Sequence, residues 1–291
     1  MEKEQEERSA FGFHKPNGFW GGFAHYSGGG MQGWWGASPL QGPAFQETTA
    51  ANNSSGNMES EEITAGNLWT NTEDSYALVI GAGDYPGFSS DLSGVAYDVD
   101  DVDAFLANDS VWSGTETVNL ENQNATKTNI LSALSELNSE VTSGDDVLFY
   151  YSGHGASDGD LVCCDTSELS VEELYESLTA IGNTVGESGH VTVVLDSCYS
   201  GALVDYFSAH CTNSSEYTIL TACSNSQYSY DIGTNGLFTN YLIDQALTGM
   251  AADANKDNSI TVQEVYNYLT SSAYASYDTV QLYGSGNYVL G

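Results

Sequence analysis

Basic residues are what this chain lacks. Five Lys and Arg stand against 40 Asp and Glu, a formal net charge of −35. Lys3, Arg8 and Lys15 fall in the first fifteen residues, which leaves only Lys127 and Lys256 for everything after. With so little to neutralise phosphate, nucleic-acid binding is excluded, and so is adhesion to an anionic membrane surface. No apolar run approaches the roughly 18 residues of a membrane span, and the N-terminus shows no apolar core of a secretion signal. Cysteine is sparse as well. Cys163, Cys164, Cys198, Cys211 and Cys223 are five in number, odd and without metal-type spacing, so at least one stays free or pairs between chains.

What is present argues for a folded protein. Hydrophobic content of 41% and aromatic content of 12% exceed what a disordered chain carries, and the length can bury a substantial core. The missing bases have two explanations. One is an acidic surface kept soluble by self-repulsion in salty or extracellular surroundings. The other is the body of a protease that cuts after Lys or Arg and does not present those residues to itself. Sequons at Asn53, Asn108, Asn124 and Asn213 favour an extracellular setting.

Residues 1–70 read as a tail or prosegment. They are Gly- and aromatic-rich without periodicity, so disorder or loose attachment is expected, with the aromatics able to dock on a groove. Residues 71–291 are regular. "YALVIGAG", "DDVLFYYSGHG", "HVTVVLDS" and "YTILTACS" are short apolar runs of buried-strand type. "TVNLEN" and "DLVCCD" are smaller strands. Helical spacing marks "LSGVAYDVDDVDAFLA", with Val95, Val99, Val102 and Leu106 on one face. "ATKTNILSALSELNSEV" is a helix capped by Asn124 or Thr126, and "SVEELYESLTAI" has Ser170 and Glu173 at capping-box spacing. "GLFTNYLIDQALTG" and "TVQEVYNYLTSSA" complete the helices. Alternating strands and helices imply a single α/β domain: a mostly parallel sheet flanked by helices on both faces.

In such a sheet the reactive crevice lies beyond the carboxyl ends of the strands. Two apolar strands end there in unusual residues, His154 between two glycines and Cys198 after Asp-Ser. If the strands are neighbours, an imidazole and a thiol emerge from the same edge, the pair that acyl transfer requires. Gly155 lets its N–H join that of Cys198 in stabilising an oxyanion. His14 and His25 lie in the tail, His190 at the wrong end of its strand, and His210 in a polar loop.

"YYSGHG" followed by "DSCYSG" resembles the caspase-like cysteine peptidases, most closely metacaspases and their prokaryotic relatives. The likeness extends from about Tyr76 to Tyr268. It implies that Cys198 is the nucleophile and His154 the general acid/base of an endopeptidase with no organic cofactor. It also implies that Asp196 and Asp98 line the S1 pocket, where two carboxylates favour a P1 Lys or Arg. A pocket for Asp needs arginine, and Arg8 in the tail is the only one. Arg8 and Lys15 become candidate processing sites, Arg8 the better because Pro16 follows Lys15. Tyr199 stands where metacaspases commonly have His. With Lys256 the only base after Cys198, a single uncut chain is expected. Two rivals stay open: a legumain-like enzyme preferring Asn, and a catalytically silent caspase-like module used for assembly.

A further motif falls near the end of that stretch. "DANKDNSITVQE" puts Asp253, Asn255, Asp257, Ser259, Thr261 and Glu264 at positions 1, 3, 5, 7, 9 and 12 of an EF-hand loop, with Ile260 at the apolar eighth. Asn258 replaces the usual glycine at position six and tolerates a left-handed backbone. Calcium binding of a structural kind is expected. The competing role is an acidic loop that caps the last helix.

Overall fold

The computed structural model describes residues 13–15, 18–21, 68–69, 74–87 and 90–291. The expected tail thus lies mostly outside the described residues, Arg8 included. Its backbone is described at Phe13–Lys15 (β1) and Gly18–Gly21 (β2), which form an antiparallel hairpin.

The domain is built on a six-stranded sheet. Its strands are Ser75–Gly81 (β3), Glu116–Glu121 (β4), Asp146–Ser152 (β5), His190–Asp196 (β9), Tyr217–Thr221 (β10) and Gln281–Gly284 (β11). Their spatial order is β11-β10-β9-β5-β3-β4, and every pairing is parallel except the antiparallel edge strand β11. The side-chain period of two divides each central strand between two cores. Tyr76, Leu78 and Ile80 of β3, with Val147, Phe149 and Tyr151 of β5, face one; Ala77, Val79, Leu148 and Tyr150 face the other. Burial on both faces explains why these strands read as unbroken apolar runs.

Helices Lys127–Glu140 (α2), Val171–Val185 (α3) and Gly201–His210 (α4) supply Leu134, Leu178 and Phe207 to the first core. Val95–Asn108 (α1) and Val262–Ser271 (α6) supply Val102, Leu106 and Val265 to the second. The capping expectations resolve well. Thr126, not Asn124, accepts the N–H of Asn129, and Ser170 with Glu173 forms a complete capping box. The expected helix over "GLFTNYLIDQALTG" is one turn of α-helix at Leu237–Thr239 (α5) that widens into a π-helix over Asn240–Thr248. A small second sheet carries Gly155–Ala156 (β6), Leu161–Val162 (β7) and Glu168–Leu169 (β8), and β2 pairs with β6 at its edge. None of the five cysteines is joined in a disulfide. No helix among the described residues is long and apolar enough to cross a membrane.

Candidate active site

Strands β5 and β9 are direct neighbours in parallel register, Ser152 opposite Asp196. The Gly153 N–H prolongs the ladder by donating to Asp196 O at 3.2 Å. His154 and Cys198 each lie two residues beyond these paired ends, so both leave the sheet at one edge. Contact between the two turns is tight. A Cβ on Gly155 would fall 2.0 Å from Cys198 O and 3.2 Å from Cys198 N, so only glycine lets the chain after His154 lie on the Cys198 backbone. Gly155→Ala should cost about 3 kcal/mol in a denaturant titration, because the obstructing atom is main chain.

His154 is gripped by tyrosines. Its N–H donates to the Tyr85 hydroxyl at 2.9 Å, its carbonyl lies 2.9 Å from the Tyr151 hydroxyl, and its ring packs 4.7 Å from that of Tyr85. Nε2 is 2.8 Å from Ser90 O. A carbonyl only accepts, so Nε2 carries the proton and, in the neutral ring, Nδ1 carries the lone pair of a base. Burial lowers the imidazole's pKa and keeps the ring neutral, against the opposing effects of the Ser90 carbonyl and the charges of Asp231 and Asp91.

Cys198 is fully buried. The Ser229 N–H donates to its Sγ at 3.2 Å. Burial, then the neighbouring Cys223, push the thiol well above its ordinary pKa, and the Ser229 N–H only partly offsets them. Tyr199 follows in a left-handed conformation, φ 57°, which turns the chain sharply into α4.

The two predicted S1 acids come together. Asp98, in the first turn of α1, accepts from Ser152 Oγ at 2.6 Å and the Gly236 N–H at 2.8 Å. Asp196 accepts from Ser229 Oγ at 2.7 Å and from the Thr239 N–H and Oγ at 3.0 and 2.9 Å. A Cβ on Gly236 would meet an oxygen of each, at 2.1 and 3.0 Å. Both acids are fully buried. Burial raises both above the carboxylate range, and the Asp196 charge raises Asp98 further, so they titrate as a pair.

One segment, Ser229–Gly236, covers all of this. Besides its contacts to Cys198, Asp196 and Asp98, it is latched to the start of α1. Gly94 N–H donates to Asp231 Oδ2 at 3.2 Å, Ser93 Oγ to Gly233 O at 3.4 Å, and Asn235 Nδ2 to Asp101 Oδ2 at 2.6 Å. Sequence reasoning missed Ser152, Ser229, Gly236 and Thr239, since small polar residues far apart in the chain carry no periodic signal.

The EF-hand-like loop stands apart from this edge. Asp253 accepts the N–H groups of Lys256, Asp257 and Asn258, and Asn255 accepts that of Asp257. Asp257 accepts the Ser259 N–H. Asn258 has the left-handed backbone its position needs, φ 64°. Glu264 closes a capping box on Thr261, and Ile260 bonds to Gly291 and Leu290 at the C-terminus. No group of three or more His, Cys, Asp or Glu is gathered for a metal among the described residues.

The family model for the caspase domain matches residues 74–281, and the chain belongs to that family. Among curated relatives it is similar to Metacaspase-1 of Candida albicans, 26% identical over 153 residues, and to Metacaspase-7 of Arabidopsis thaliana, 32% identical over 148. Each match covers 44% of this chain, and 34% and 35% of the respective relative, so the chain spans about a third of the length of the relatives it matches. A crystal structure of a Geobacter sulfurreducens protein shares the fold with a TM-score of 0.52 at 17% identity, covering 73% of this chain and 93% of that one.

Proposed function

We propose that the protein is a cysteine endopeptidase that hydrolyses polypeptides after Lys or Arg. The observation that carries the reading is the register of β5 and β9, which sends His154 and Cys198 off one sheet edge in a chain of the caspase-domain family. His154 takes the thiol proton and the Cys198 sulfur attacks the scissile carbonyl. The N–H groups of Cys198 and Gly155 receive the charge that develops on the carbonyl oxygen. His154 then delivers its proton to the departing amine, and water, deprotonated by the same imidazole, hydrolyses the thioester. Asp98 and Asp196 pair with the P1 ammonium or guanidinium. Their burial means that a substrate displaces Ser229–Gly236, which also strips the Ser229 N–H from the thiol. The near absence of Lys and Arg after residue 15 then protects the enzyme from itself.

Turnover of fluorogenic peptides ending in Arg, Lys, Asn or Asp tests this directly. Cleavage after Arg and Lys is expected, with a loss of at least about 10⁴-fold in Cys198→Ala. Cleavage only after Asn would replace the S1 assignment with a legumain-like one. A folded protein with an unreactive Cys198 and no turnover would instead favour a silent module for assembly.

Loop 253–264 supports a second, separate reading as a calcium site. Asp253, Asn255, Asp257 and Glu264 would supply side-chain oxygens to the ion and Ser259 its carbonyl, with Thr261 at the remaining loop position. The left-handed Asn258 fits that use. Calcium, but not magnesium, should raise the Tm, and Asp253→Ala should abolish the rise.

A further inference from the structure

One buried acid at the edge has no part in the arrangement above. Asp278 lies between α6 and β11, and its surroundings fix its place. The Tyr274 hydroxyl donates to Ala222 O at 2.6 Å, one residue beyond β10. The Asp278 N–H donates to Tyr274 O at 3.2 Å. The Tyr277 ring meets Tyr230 edge-on at 6.2 Å, beside the covering segment. Asp278 is therefore held at the carboxyl edge of the sheet, on the β10 side of Cys198. It is 5% exposed, and its Oδ2 is buried without a hydrogen-bond partner among the described residues.

Such an oxygen is costly unless something uses it. Displacement of Ser229–Gly236 frees one oxygen each of Asp98 and Asp196, while the other two still accept from Ser152 and Thr239. A guanidinium brings five N–H donors in a fixed fork, more than two freed oxygens absorb. We propose that Asp278 is a third carboxyl of the P1 site, its unpartnered oxygen accepting from the charged end of the Lys or Arg side chain. This rests on the reading that P1 is basic.

The electrostatics agree. Burial, then the Asp196 charge, push the Asp278 carboxyl up to about 8, so it holds a proton at neutral pH while the edge is closed. The groups that face it are Asp196 from β9, Cys198 and Cys223 from the turns after β9 and β10, and Tyr274 from the turn before it. Asp231 of the covering segment acts in turn on Asp196. An arriving cation releases the Asp278 proton, so cation affinity rises with pH toward about 8.

The test reads kcat and KM of the full chain and of Asp278→Asn on Arg, Lys and Asn peptides, with inhibition by agmatine measured across pH. The expected loss in kcat/KM on Arg peptides is about 10- to 100-fold, carried by KM and larger than on Lys peptides. Agmatine should weaken in parallel and lose the rise in affinity near pH 8 that Asp278 supplies, keeping the dependence due to Asp98 and Asp196. A variant with unchanged KM and unchanged Arg-to-Lys preference overturns the proposal, as does a loss that only tracks the folded fraction. Should Asp278→Asn fail to fold, the wild type decides alone: agmatine affinity flat with pH through about 8 overturns it. Wild type that cuts only after Asn sinks the basic-P1 reading itself, an outcome seen without any variant at Asp278.

Discussion

Two groups of acids in this chain behave in opposite ways. Asp98, Asp196 and Asp278 at the sheet edge are buried, and burial raises all three. Asp253 and Asp257 in the loop before α6, and Glu264 in its first turn, are exposed or half-buried. There, turn and cap N–H groups donate to them, and the Thr261 N–H lowers Glu264. The residue types match; the water and the number of N–H donors do not. A formal charge of −35 counts the two groups alike, although burial favours the protonated form at the edge.

The sharpest way to break the contrast is by pH. For a carboxyl whose folded pKa is raised, stability is fully present below the unfolded value and is lost as pH rises through the folded one. Asp196 rises from 3.8 to about 6 and Asp278 from 3.8 to about 8. Together they should remove on the order of a few kcal/mol between mildly acid and mildly alkaline solution. Thermal melts across that range should show Asp278→Asn losing less stability than wild type as pH rises; equal losses would mean that Asp278 is wet. Glu264 has the opposite sign, its contribution being present above 4.5 and lost as pH falls. The next largest effect is on catalysis. Asp196→Asn should lower kcat/KM on Arg and Lys peptides about 100-fold, whereas Asp257→Asn should leave it nearly unchanged. The smallest effect belongs to the loop: Thr261→Ala removes an N-cap and should cost about 1 kcal/mol by chemical denaturation, with the P1 preference untouched.

The sheet was legible because strands buried on both faces read as unbroken apolar runs, and the shared edge of His154 and Cys198 because they follow two of those runs at the same end. Other elements gave no such signal. Helix α4 begins at Gly201, and its first turn continues the turn after Cys198. Edge strand β11 is four half-buried residues, too short for alternation to show. The π-helix depends on bonds five residues apart, such as the closing Gly249 N–H to Asp244 O, which composition does not encode. Asp98 and Asp196 were found only through a motif likeness, and Asp278, with no motif around it, was invisible before the chain was folded.

Ser229 spends two groups on two different functions, its N–H on the Cys198 sulfur and its hydroxyl on Asp196. On the proposed reading, Cys198 and Asp196 are therefore unmasked by one displacement. A small electrophile that brings no cation would then have nothing with which to lift that residue, and chemical modification of the thiol would report on what sits in the neighbouring pocket.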